Sequence, residues 1–264
     1  MKFEIPFLKK EVENDFDIWD CHTHIGTDID GFSLNSEKLI KLLKNSKIEK
    51  AVVFPFHDIN MGKDFSAPND AVLEAYKKYP KKIIPFFRLN PKSPSWKKEA
   101  EKRRAQGFKG LKLHPRAQKF KLTDSKAGEV YDFLSENNLP LLVHTGLGMG
   151  KISTQVENML EDFPKLRIIL GHSGMSDLQN IIPVINSARN NHVYLETSTV
   201  QAYDLFEIFD RVDSSRIMFG SDVPYGDMEA AIQLIKGIAE SFSLDSKSLD
   251  LIFKKNLENC IYNK

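Results

Sequence analysis

Two imidazoles, His22 and His24, stand two residues apart in the stretch IWDCHTHIG, residues 18–26. The apolar lead-in reads as a β-strand, and side chains two apart on a strand share a face. His22 and His24 then point the same way, with Asp20, while Cys21 and Thr23 point the other way. On that alternation Cys21 packs outward against surrounding helices as a small hydrophobe. Two convergent imidazoles are a good half of a metal site. His-x-His is also frequent by chance, so the rest of the chain has to decide.

Further polar residues close apolar runs rich in Val, Ile, Leu and Phe. Eight runs recur: FDIWDCHTH, KAVVFPFHD, IIPFFRLNP, GLKLHP, PLLVHTG, RIILGHSG, HVYLETS and RIMFGSDVP. The second ends near His57 and Asp58, the third in Arg88 and Asn90. The fourth carries Lys112 and His114, two apart and so on one face. The fifth ends in His144, the sixth in His172. The seventh carries Glu196 and Ser198, and the eighth ends in Asp222. Of the seven histidines, only His192 falls elsewhere, before the seventh run, and it takes no role.

Segments of helical periodicity separate these runs. NSEKLIKLLKNS opens on a cap-like Asn35 or Ser36, and SPSWKKEAEKRRAQG ends in Gly107 as a stop. The last stretch, LDSKSLDLIFKKNLENCIYN, adds a C-terminal helix or a pair. Strands alternating with helices make parallel βα units. Eight units in about 250 residues match a (β/α)8 TIM barrel better than a doubly wound sheet. No Gly-rich dinucleotide fingerprint opens a helix, and no linker splits the chain. One domain is expected over 1–264: a lead-in at 1–15, the barrel over about 16–243, and a helical segment over about 244–264.

The bulk numbers narrow the partners. The 264 residues are 41% hydrophobic and 28% charged, with a net charge of +1, which suits a soluble globular protein. That balance leaves no footprint for nucleic acid or an anionic membrane. No apolar run is long enough to span a bilayer, and the N-terminus has no signal-peptide core. Cys21 and Cys260 make no disulfide framework and fit a reducing cytoplasm. The expected partner is a small-molecule substrate; homo-oligomer formation is left open.

In such barrels the chemistry sits at the C-terminal ends of the strands. His22, His24, His144, His172 and Asp222 would converge there. Imidazoles with a carboxylate are donors for a divalent cation such as Zn²⁺.

In their order, DCHTHIG, GFKGLKLHP, LLVHTG, IILGHSG, VYLETS and RIMFGSDVP resemble the amidohydrolase superfamily. More narrowly they resemble its amidohydrolase-2 branch, which includes aminocarboxymuconate-semialdehyde decarboxylase. The resemblance implies a distorted (β/α)8 barrel of the metal-dependent hydrolase type with one divalent ion, often zinc. It makes His22, His24, His144 and Asp222 the ligands, with His172 an acid/base beside the metal. Binuclear relatives carry a carboxylated lysine on the strand of Lys112; the LKLHP pattern resembles the mononuclear branch, so one ion is expected. Asp222 would accept a proton from metal-bound water, and His172 would hold the hydroxide or protonate a leaving group.

Arg88, His114, Lys112 and His57 are the candidates for substrate binding, with Asp58 and Tyr225 behind them. Arg88 suits a carboxylate; its alternative is an ion pair with Glu196 or Asp20 inside the barrel. GLGMGKIS lacks phosphate-loop spacing and reads as a mobile loop over the site. The expected function is a metal-dependent hydrolase using activated water on an amide, ester or lactone of a carboxylate-bearing molecule. A non-oxidative decarboxylase is the alternative, and an inactive metal-binding homologue the third reading.

Overall fold

The computed structural model describes residues 17–262 except 59, 63 and 189–191. The lead-in expected at 1–15 lies outside the described residues. The chain runs through β1 (Ile18–Thr27), β2 (Ser33–Leu34), α1 (Ser36–Asn45), β3 (Ile48–Pro55), α2 (Ser66–Lys78), β4 (Ile83–Arg88) and α3 (Trp96–Ala105). Next come β5 (Gly110–Leu113), α4 (Pro115–Gln118), α5 (Ser125–Glu136), β6 (Leu141–His144), α6 (Ser153–Asp162), β7 (Ile168–Gly171), α7 (Leu178–Ser187) and β8 (Val193–Glu196). It closes with α8 (Ala202–Arg211), β9 (Ile217–Met218), α9 (Met228–Ser241), α10 (Ser246–Asp250) and α11 (Asn256–Tyr262).

All eight runs read from the sequence are strands, β1 and β3 to β9. The short β2 is an addition, antiparallel to β1. The order β2-β1-β3-β4-β5-β6-β7-β8-β9 is otherwise parallel. The result is an α/β fold with a curled sheet, covered on both faces as parallel sheets require. One face carries Ala51, Val53, Leu111, Leu141, Ile168 and Leu195 into the large core with the helices. The other carries Trp19, Val52, Phe86, Leu142, Ile169 and Met218 into a second cluster. Leu257, Cys260 and Ile261 of α11 join that second cluster, so the expected C-terminal helix plugs the inside of the curl.

The ladder does not run unbroken around a (β/α)8 barrel. It stops at β9, and residues 219–223 are instead laced to β1. Cys21 N–H donates to Phe219 O (3.1 Å), Asp222 N–H to His22 O (2.8 Å), and His24 N–H to Val223 O (3.0 Å). This lacing sets Asp222 beside the two histidines.

Candidate metal and substrate site

β1 is not a regular strand. Asp20 lies opposite Ala51 of β3, whereas Thr23 lies opposite Val53. The extra residue is a bulge, which re-aims side chains locally. It lets both Cys21 and His22 face inward. Cys21 packs with Val52 and Phe54, and the His22 ring lies 5.2 Å from Phe54. The expectation that Cys21 packs outward against helices is therefore corrected. Asp20 does not join the imidazoles either. Its Oδ1 accepts the amides of His22 (2.9 Å) and Ser221 (3.1 Å), pinning the bulge to the strand end that bears Asp222. Burial raises its carboxyl to about 7.

His22, His24 and Asp222 form a cluster of potential ligands whose donor atoms lie within 4.8 Å of one another. Asp222 Oδ1 lies 3.0 Å from Nε2 of His24 and 3.3 Å from Nε2 of His22. His22 Nδ1 lies 2.8 Å from Glu196 Oε2. If it gives its proton there, Nε2 holds a bare lone pair facing a carboxylate oxygen. That pairing is repulsive unless a cation serves both, and it suits a divalent ion. Lys112 Nζ lies 3.2 Å from the same Nε2. Burial drives His22 well below the ordinary imidazole range and His24 down to about 4, so both rings are neutral donors at pH 7. Gly171 makes room: a Cβ there would lie 3.2 Å from His22 Cε1.

His144 and His172 share the cavity with these residues. The His144 ring stacks on His114 at 3.8 Å and meets His172 edge-on at 4.8 Å. It stands outside the tight cluster of three. His172 is anchored through Nδ1, 3.1 Å from Ser198 O and 3.0 Å from Thr199 Oγ1. A carbonyl only accepts, so Nδ1 carries the proton and Nε2 is an acceptor. Burial lowers its pKa. His172 and Asp222 both have left-handed backbones (φ 66° and 58°), a strain typical of functional sites.

The substrate-binding candidates Arg88, Lys112, His114 and His57 line the same cavity of about 630 Å³, with Tyr225. Asp58 does not; it accepts the amides of Thr27 and Asn60. Arg88 pairs with neither Glu196 nor Asp20, correcting that alternative. Its Nη1 reaches Pro55 O at 3.4 Å, while Nε and Nη2 are buried without a hydrogen-bond partner. Burial lowers it to about 9, so it stays a cation at neutral pH. Burial also lowers Lys112 to about 7. His114 Nδ1 accepts Ala117 N–H at 3.3 Å, which leaves Nε2–H as a donor. Leu147, from the Gly-rich loop after His144, reaches the cavity too.

Two residues carry more than the sequence suggested. Glu196 was only a strand-end residue and a partner considered for Arg88, yet it holds His22. Asp28 lines the cavity and accepts a hydrogen bond from Tyr225 Oη. Glu196 was findable, as a carboxylate ending an apolar strand on the face of Tyr194. Asp28 follows β1 in an isolated bridge to Asp58 and gives no pattern.

A family model described as amidohydrolase matches residues 19–256. The chain belongs to this amidohydrolase family. No protein of curated function matches the chain by sequence. Among solved structures, the chain is similar to an uncharacterized TIM-barrel protein of Bordetella bronchiseptica, with TM-score 0.71 and 18% identity over 93% of this chain and 98% of that one. A Zn-bound amidohydrolase of Burkholderia multivorans gives TM-score 0.70 and 14% identity, covering 93% and 99%. A dihydroxybenzoic acid decarboxylase of Polaromonas, with bound manganese and 2-nitroresorcinol, gives 0.70 and 14%, covering 94% and 98%. Decarboxylases of 2,6-dihydroxybenzoate and 5-carboxyvanillate share the fold.

Proposed function

We propose that this amidohydrolase-family chain is a metal-dependent enzyme that decarboxylates a small planar acid without oxidation. The observation that carries the reading is a cavity with two opposed kinds of chemistry. His22, His24, Asp222 and His172 supply metal and proton donors, and Arg88 supplies a buried cation with two unpaired nitrogens. An unpaired buried guanidinium is costly until an anion fills it, which supports an acidic substrate. The decarboxylases among the similar structures favour this reaction over the hydrolysis expected first.

His22, His24 and Asp222 would hold one divalent ion, with His144 as the expected fourth ligand. When bound, such an ion, zinc or manganese, supplies a Lewis acid for charge developing on a substrate oxygen. Arg88 fixes an anionic oxygen of the substrate through its fork. The His114 Nε2–H and the Lys112 ammonium add donors along the same wall. The carbon–carbon bond to the carboxylate breaks and carbon dioxide leaves. The electron pair stays on the carbon that bore the carboxylate, and His172 Nε2, an acceptor at rest, takes a proton from solvent and passes it to that carbon.

A second reading keeps the same residues and attacks an amide, ester or lactone with water; the Zn-bound amidohydrolase of the same fold supports it. A panel separates the two. Metal-loaded protein is given hydroxylated aromatic acids, lactones and amides, with headspace carbon dioxide and product mass recorded in D2O. Decarboxylation gives carbon dioxide and one deuterium at the vacated carbon. Lactone or amide opening without carbon dioxide from any acid overturns the proposal. Arg88→Met should lower kcat/KM by roughly 10–150-fold, from about 1.5–3 kcal/mol for a hydrogen bond to a charged group. Unliganded Arg88→Met should melt no lower than the parent, since it loses a buried unpaired charge.

A further inference from the structure

Glu196 is fully buried (0% exposed). Its carboxylate meets His22 Nδ1 at 2.8 Å, His172 N–H at 3.1 Å, the Ser198 hydroxyl at 2.8 Å and Ser198 N–H at 2.5 Å. Its carbonyl accepts from the Ser173 hydroxyl at 2.8 Å. Two of the carboxylate's contacts are backbone amides, which can only donate. Both amides bind it as an acceptor, against a burial that pushes its carboxyl up to about 8; a proton on Nδ1 of His22 completes that set of donors.

We propose that Glu196 is a positioning residue: it fixes the tautomer of His22 with a lone pair on Nε2 and, through Ser198, does the same for His172. This rests on the reading of His22 as a metal ligand. Ser198 completes the unit. Its hydroxyl lies 3.0 Å from His172 Nδ1, and its carbonyl takes the proton of that nitrogen. Both rings then present Nε2 as an acceptor, one for a cation and one for a proton.

Glu196 also secures the backbone that aims His172. His172 and Ser173 both have left-handed φ values, 66° and 52°, and both are bonded to Glu196. The space is reserved for the carboxylate, because a Cβ on Gly220 would lie 2.2 Å from Glu196 Oε1. Carboxylates behind ligating histidines typically carry 10–100-fold in metal affinity.

The test uses the metal-free full chain and zinc as the probe. Long-range ¹⁵N–¹H correlation of the histidine side chains in the unmutated protein should show His22 and His172 protonated at Nδ1. An Nε2–H form of His22 overturns the proposal without any variant having to fold. Glu196→Gln, whose amide cannot accept from every donor around it, should bind zinc about 10–100-fold more weakly in chelator competition. His22→Ala is the control. Unchanged affinity in Glu196→Gln with lost affinity in His22→Ala overturns the positioning role. Unchanged affinity in both overturns the ligand assignment, and the role with it.

Discussion

His172 and Asp222 stand at the same cavity, and the proposed function gives them different tasks. His172 is tied through Nδ1 to Ser198 and Thr199 and leaves Nε2 as an acceptor. Asp222 touches both histidines of the His-x-His pair. His172→Asn should keep metal content and lower turnover by roughly 10²–10⁴-fold, the usual size of an acid/base contribution. Asp222→Asn should lose both together, because it strips a full negative charge from a divalent site. Metal analysis beside a turnover assay on the two variants checks this; a His172→Asn protein emptied of metal sinks the division of roles. These residues were legible because histidines and carboxylates recurred at strand ends, where such folds do chemistry. The partners of Arg88 were not. Which carboxylate meets a buried guanidinium depends on rotation about several bonds, and here Glu196 and Asp20 were engaged by backbone amides and by His22.

At the scale of the element, β1 decides what the cavity receives. Period-two alternation put Cys21 opposite His22, and the bulge between Asp20 and Thr23 put both inside. A bulge adds one residue to a strand with no mark in composition, so the parity could not be read from the sequence. Elements with local signals fared better. Asn35 caps α1, its side chain accepting from Lys38 N–H, and Gly107 follows α3 with φ 90°. Cys21, buried below His22, should matter for packing only. Cys21→Ala should leave metal content unchanged and cost about 1 kcal/mol, the scale of a small loss of volume in a core. Both thiols should resist labelling until the protein unfolds, since burial raises Cys21 well above the usual thiol range and Cys260 to about 12. Thiolate is the reactive form, so rapid labelling of Cys21 in the native state would contradict its inward placement.

The whole molecule brings together residues far apart in the chain. His24 and Asp222 are separated by 198 positions and end 3.0 Å apart, because the sheet curls until residues 219–223 lie along β1. The alternation of strands and helices made the parallel sheet legible. The lacing between its edges was not, because it runs through backbone bonds beyond the end of β9. The C-terminal helix was expected, but not its place inside the curl with Trp19 and Met218. Among the described residues no helix is long and apolar enough to cross a membrane.

Everything proposed here depends on one ion at the point where His22, His24 and Asp222 meet. Elemental analysis of protein purified without chelator, repeated after loading with zinc or manganese, measures it directly. About one divalent ion per chain is expected, lost in His24→Ala. A chain that holds none under any loading condition contradicts the metal site itself, and two per chain contradicts the single-ion reading.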